Sequence, residues 1–170
     1  AKDKMKATAD EQEEEIDLEK VPFTQQVEKS AGWYDSEVRK ILQEVNDTIT
    51  SMEEHGYNAE TQQNIETRLK TGLEYADKAI ALAPGEPGFL VNKGSLFLLL
   101  QDYPLALACY DAALLLAPDN SYIHLNRAIL FYHMDRIPEA IASFERLLEL
   151  EPSHEFAQQW LAHLKNEGQQ

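Results

Sequence analysis

The residues of this chain best suited to holding a metal or running nucleophilic chemistry are His55, His124, His133, His154, His163 and Cys109. Their spacing argues against both. Zinc sites gather ligands in short paired steps, with roughly two to five residues between partners, and Cys109 has neither a second cysteine nor a histidine at that distance. His124 and Arg127 stand one helical turn apart, where packing and surface roles outweigh catalysis. Glu53 and Glu54 could act as paired carboxylates, but they close a helix-patterned segment, and solvated charge is the plain reading there. The sequence also lacks a glycine-rich phosphate loop, HExxH and GxSxG. No catalytic residue, metal ligand or cofactor is assigned, and the expectation is a protein that is not an enzyme.

Composition narrows the partners. Fifteen Lys and Arg against thirty Asp and Glu leave a net charge of −15, which is repelled by nucleic-acid backbones and anionic lipid surfaces. Apolar runs such as Leu96 to Leu100 are far short of the roughly 20 residues that span a bilayer. A single cysteine cannot form an internal disulfide, so a cytoplasmic setting is expected, with a periplasmic or exported one open if a leader has been removed. At 170 residues the chain has the size of one domain.

The elements that would carry any site follow from an internal echo. The phrases AIALAPGE, ALLLAPDN and LLELEPSH place Pro84, Pro118 and Pro152 at intervals of 34 residues, and a fixed period of this size marks a stacked repeat architecture. Residues 1–32 hold the acidic run ADEQEEEIDLE and few periodic apolar positions, so a flexible tail is expected. Within it KVPFTQQV offers Val21 and Phe23 as an extended apolar segment. Residues 33–86 read as amino-terminal helices. Val38, Ile41, Leu42, Val45, Ile49 and Met52 recur at steps of three and four after a cap at Asp35 or Ser36, and Gly56 ends the helix. Asn58 then caps one long helix over residues 59–83, in which Gly72 costs only about 1 kcal/mol against Ala.

Residues 87–120 and 121–154 each hold two helical patterns around a turn, QDYP in one and MDRIP in the other. Gly94 and Ala128 share the small eighth position, Phe97 and Phe131 the aromatic eleventh, Ala106 and Ala140 the small twentieth. Tyr110 and Phe144 share the aromatic twenty-fourth, Ala113 holds the small twenty-seventh, and Pro118 and Pro152 the thirty-second. On these residues the chain resembles the tetratricopeptide repeat family. The resemblance implies an all-α fold, a right-handed superhelical stack of helix-turn-helix units (an α-solenoid), with a degenerate first repeat before residue 87 and a capping helix over 155–170. Small residues let helices approach closely, aromatics fill the gaps and proline ends each unit. Two departures stand out. Lys93 and Arg127 take a seventh position that is usually apolar and should snorkel out of the packing; Leu147 replaces the small twenty-seventh residue and should loosen the last interface.

By resemblance, the first helix of each repeat lines a concave groove. The inward residues are then Gly88, Val91, Asn92, Ser95, Leu98 and Leu99, then Tyr122, Leu125, Asn126, Ile129, Tyr132 and His133, with Phe156 and Trp160 on the cap. Such a surface is apolar and aromatic, with Asn92 and Asn126 able to hold a peptide backbone in register. The expected function is a protein-interaction module or scaffold that takes a partner peptide or helix. Two alternatives stay open. One is a dedicated chaperone for a secreted client, similar in layout to translocator chaperones of type III secretion. The other is a self-associating protein whose groove is filled by its own amino-terminal segment. Family members that grip acidic chaperone tails carry Lys and Arg in the groove; none of the inward positions in these two repeats is basic, so that specialised clamp is not expected.

Overall fold

In a computed structural model the chain is described over residues 29–167. The acidic run and KVPFTQQV, with the expectations placed on them, lie outside the described residues. Seven helices follow one another with no strand among the described residues: α1 Ala31–His55, α2 Ala59–Leu82, α3 Pro87–Leu99, α4 Tyr103–Leu116, α5 Ser121–His133, α6 Ile137–Leu150 and α7 Glu155–Glu167.

The caps explain most of the boundaries. Asn58 accepts from Thr61 N at 2.7 Å and opens α2; Asn120 accepts from Tyr122 N and Ile123 N and opens α5. At α1 the cap is Ser30, whose Oγ accepts from Trp33 N at 3.2 Å, rather than Asp35 or Ser36. Helix α1 therefore begins two residues inside the stretch expected to be tail, and Asp35 is left free for another task. Gly56 ends α1 at φ 98°, a conformation other residues rarely adopt. Both inner turns use one device. Gln101 at φ 59° and Asp135 at φ 56° take the left-handed conformation, while Asp102 N reaches back to Phe97 O and Arg136 N to Phe131 O, each at 2.9 Å.

Helices α1 and α2 pair as an antiparallel hairpin whose turn lies at residues 56–58. This first unit consists of two long helices in place of two short ones, and α2 runs unbroken from Ala59 to Leu82. The hairpins α3–α4 and α5–α6 follow, and α7 closes the stack. The interior runs as three linked clusters, centred on Ile41 and Leu69, on Tyr110 and Leu130, and on Phe144 and Leu164.

Packing shows why the repeat positions are what they are. A Cβ added at Gly94 would stand 2.5 Å from the Tyr110 ring, and that ring is fully buried; its Cε1 and Cδ1 edge lies so close to the α3 backbone that only hydrogen fits. In the next unit Phe144 replaces Tyr110 and Ala128 fits. The two departures are also answered. Lys93 Nζ reaches Asp77 Oδ1 and Arg127 Nε reaches Asp111 Oδ1, both at 2.7 Å, so each seventh-position cation snorkels onto the second helix of the unit before it, and the two pairs stand 34 residues apart. The same cations lie over the rings of Phe97 and Phe131. Leu147 is fully buried in a cluster with Ala157, where the preceding unit sets Ala113 with Ile123. The large and small residues have exchanged sides, so the total volume is kept and the interface does not need to widen.

Candidate partner-binding groove

The twelve inward residues divide into two sets. On α3, Val91 is buried in the core, Leu98 packs on the Tyr110 cluster and Leu99 on the α1–α2 cluster. Ser95 Oγ donates to Val91 O and lies 3.2 Å from the Tyr110 hydroxyl. Burial pushes that phenol up to about 12, against a smaller downward pull from the Ser95 hydrogen bond. Asn92 donates its amide to Asp35 Oδ1 at 2.7 Å. Here α1 lies against α3 and occupies polar capacity that a peptide backbone would need. The link joins residues 57 apart, and only the tertiary fold brings them together.

On α5 and α7 the arrangement is different. Ile129, Tyr132 and His133 from α5, Phe156 and Trp160 from α7, and Phe144 from α6 enclose an apolar cavity of about 220 Å³. Trp160 is its hub. Its ring meets Tyr132 edge-on at 4.9 Å, lies near Phe156 at 5.9 Å and stacks over Phe144 at 6.4 Å. His133 stacks on Tyr103 at 6.1 Å. Leu125 packs on the core beneath, Tyr122 is exposed at the rim, and Asn126 donates its amide to Tyr122 O at 2.8 Å. Phe144 is the lining residue that sequence reasoning missed as a site residue. It was read as filler between helices, and it is both filler and the floor of the cavity.

The other candidates take structural places. His124 is buried, with Nε2 2.8 Å from Pro118 O. Cys109 is half-buried, and its thiol is pushed up by burial, the opposite of what activates a nucleophile. Among the described residues no cluster of His, Cys, Asp and Glu could hold a metal, and no helix is long and apolar enough to cross a membrane.

Comparison with known proteins places this geometry. Residues 98–164 match a family model described as tetratricopeptide repeat. Among solved structures, a thermophilic TPR protein of Thermus thermophilus superposes with a TM-score of 0.66 at 21% identity, over 79% of this chain and 63% of that one, so this chain spans under two thirds of its length. The first TPR domain of Spaghetti (RPAP3), bound to the HSP90 peptide SRMEEVD, gives 0.57 at 17% identity, over 80% of this chain and 98% of that one. The Arabidopsis OM64 TPR domain gives 0.56 at 19%, over 79% and 98%. At these identities the likeness is one of fold. No curated protein matches this chain.

Proposed function

Because residues 98–164 match the tetratricopeptide repeat model and the fold is shared with solved TPR proteins, we propose that the chain is a non-catalytic protein-interaction module that binds a peptide or helix through the α5–α7 half of its concave face. The observation that carries this reading is the cavity around Trp160. It is open to the groove, lined by four aromatic side chains and small enough to take one large apolar side chain of a partner. Tyr and Trp give wide contact area at little entropic cost, which suits them to anchor a short segment.

The α3 half contributes less. Its leucines are engaged in the core and its asparagine is held by Asp35. The HSP90 peptide seen on Spaghetti contains two glutamates, an aspartate and a single arginine. This groove offers no Lys or Arg among the residues around Trp160, so the occupant proposed here is apolar in character. With a net charge of −15 the chain is also a poor match for nucleic acid.

The test is recovery of a partner from source lysate by the full chain, by Tyr132→Glu with Phe156→Glu, and by Leu115→Glu as a surface control. Leu115 is 86% exposed and outside the groove residues. A partner held by the parent and the control, and weakened at least about tenfold by the groove pair, supports the reading. Equal recovery by all three proteins would count against it. Leu98→Glu is unsuitable here, because Leu98 packs on the core.

A further inference from the structure

Helix α5 has a second functional-looking face. His124, Arg127 and Phe131 recur on the side of the helix opposite Ile129 and Tyr132. With Arg136, Glu139, Ser143 and Arg146 they enclose a separate cavity of about 260 Å³. The chain has five arginines in all, and three of them line this one space. Against the single carboxylate of Glu139 they leave the lining with a surplus of two positive charges, inside a chain whose net charge is −15.

The guanidinium groups are held in place without being used up. Arg127 gives Nε to Asp111 at 2.7 Å. Arg136 gives Nε and Nη2 to Glu139 Oε1 at 2.9 and 2.7 Å. Arg146 gives Nη1 to Glu149 and Nη2 to Asp119 at 2.7 and 2.8 Å. A guanidinium has five N–H donors, so each keeps donors to spare. Asp111, Asp119 and Glu149 are not part of the lining, and their side chains are 48, 74 and 64% exposed; solvated pairs of this kind yield readily to a better ligand. Phe131 orients two of the arginines, with Arg127 and Arg136 at 4.9 and 4.7 Å from its ring centre. Ser143 is only 4% exposed and lines the same cavity, where its hydroxyl adds a neutral donor beside the three guanidinium groups.

We propose that this cavity is an anion site for a phosphate monoester, with Arg127, Arg136 and Arg146 on the phosphate oxygens and the Ser143 hydroxyl completing the set. A phosphate monoester carries about −1.5 to −2 charges at neutral pH and presents three strong acceptors, which matches both the charge surplus and the forked donors. A lone carboxylate would match neither as well, and Glu139 already supplies one. The site does not depend on the groove reading, because it uses the opposite face of α5.

The experiment follows the Nε–Hε signals of the arginines in the isotope-labelled full chain by NMR. Inorganic phosphate, O-phosphoserine and glucose 6-phosphate are titrated beside acetate at constant pH and ionic strength. Saturating shifts at Arg127, Arg136 and Arg146, absent at Arg39 and Arg68 and absent with acetate, are expected. Arg146→Gln should weaken binding about tenfold and Ser143→Ala severalfold. Glu139→Gln should tighten it by removing the competing carboxylate, a change of sign that a purely structural role would not give. Tighter binding of phosphoserine than of inorganic phosphate would point to a phosphorylated protein as carrier, and tighter binding of glucose 6-phosphate to a small metabolite. The proposal is overturned if acetate and all three phosphates behave alike, or if phosphate affinity is the same in the parent, Arg146→Gln and Glu139→Gln.

Discussion

Residues 87–120 and 121–154 are two copies of one template, and on the concave side they have become different surfaces. Asn92 and Asn126 hold the same place in the repeat. The first donates to Asp35 of α1, and the second folds its amide onto its own helix at Tyr122 O. Leu98 and Leu99 pack into clusters on either side, whereas Tyr132 and His133, their counterparts, wall an open cavity. The neighbours decide. Helix α3 lies against the 25-residue helix α1, and α5 faces the 13-residue α7, which brings Phe156 and Trp160. What a repeat position does therefore depends on where its unit sits in the stack.

The largest effect expected from this comparison is alkaline. Tyr110 in the first copy titrates and Phe144 in the second does not. Burial holds the Tyr110 phenol at about 12, above its ordinary value of 10. The folded state thus keeps a proton that the unfolded state loses. The stability tied to this group is complete below pH 10 and is lost as pH rises towards 12, by about 3 kcal/mol. Urea unfolding followed across this range should fall less steeply in Tyr110→Phe than in the parent; parallel curves would show that the phenol ionises equally in both states.

Next comes the small eighth position. Gly94→Ala should cost about 1–3 kcal/mol, because the new methyl meets a buried ring that cannot retreat. Ala128→Gly, the reverse change in the second copy, should cost about 1 kcal/mol through helix propensity. Denaturation midpoints of the two variants would sharpen the comparison if both fall, and break it if Gly94→Ala is neutral. The asparagines should separate as well. Asn92→Ala removes a part-buried bond to a carboxylate and should cost about 1–2 kcal/mol, while Asn126→Ala should stay within about 0.5 kcal/mol. Equal losses would mean that α1 does not distinguish the two halves. The smallest effect belongs to the paired cations. Lys93→Gln and Arg127→Gln should each cost under about 1 kcal/mol, and less in high salt, because Asp77 and Asp111 are largely exposed. A salt-independent loss would shift the credit to stacking on Phe97 and Phe131.

Much of this was legible in the residues. The 34-residue period, the prolines and the small and aromatic positions located α3 to α6 and the stacked fold, and the polar cap at Asn58 marked the start of α2. Periodicity also gave the second long helix, Ala59–Leu82. It did not give the start of α1, because Ser30 and Asp35 are equally good caps by type, and the choice between them rests on Asp35 being engaged by Asn92 and Arg39. The inward residues were assigned by repeat position alone. That rule treats every unit alike, so it could not separate the engaged α3 half from the open α5 half.

The amino-acid sequence by itself determined that the chain stacks helical hairpins, because local periodicity and breakers act within a single unit and need no knowledge of its neighbours. It also determined that the groove would be apolar, since side-chain type at each inward position is written in the chain. Tertiary structure alone decided which part of that groove is open, which arginines share a cavity, and how Ala157 makes room for Leu147. Each of these depends on residues from different helices meeting in space, and a meeting across tens of residues leaves no period to read.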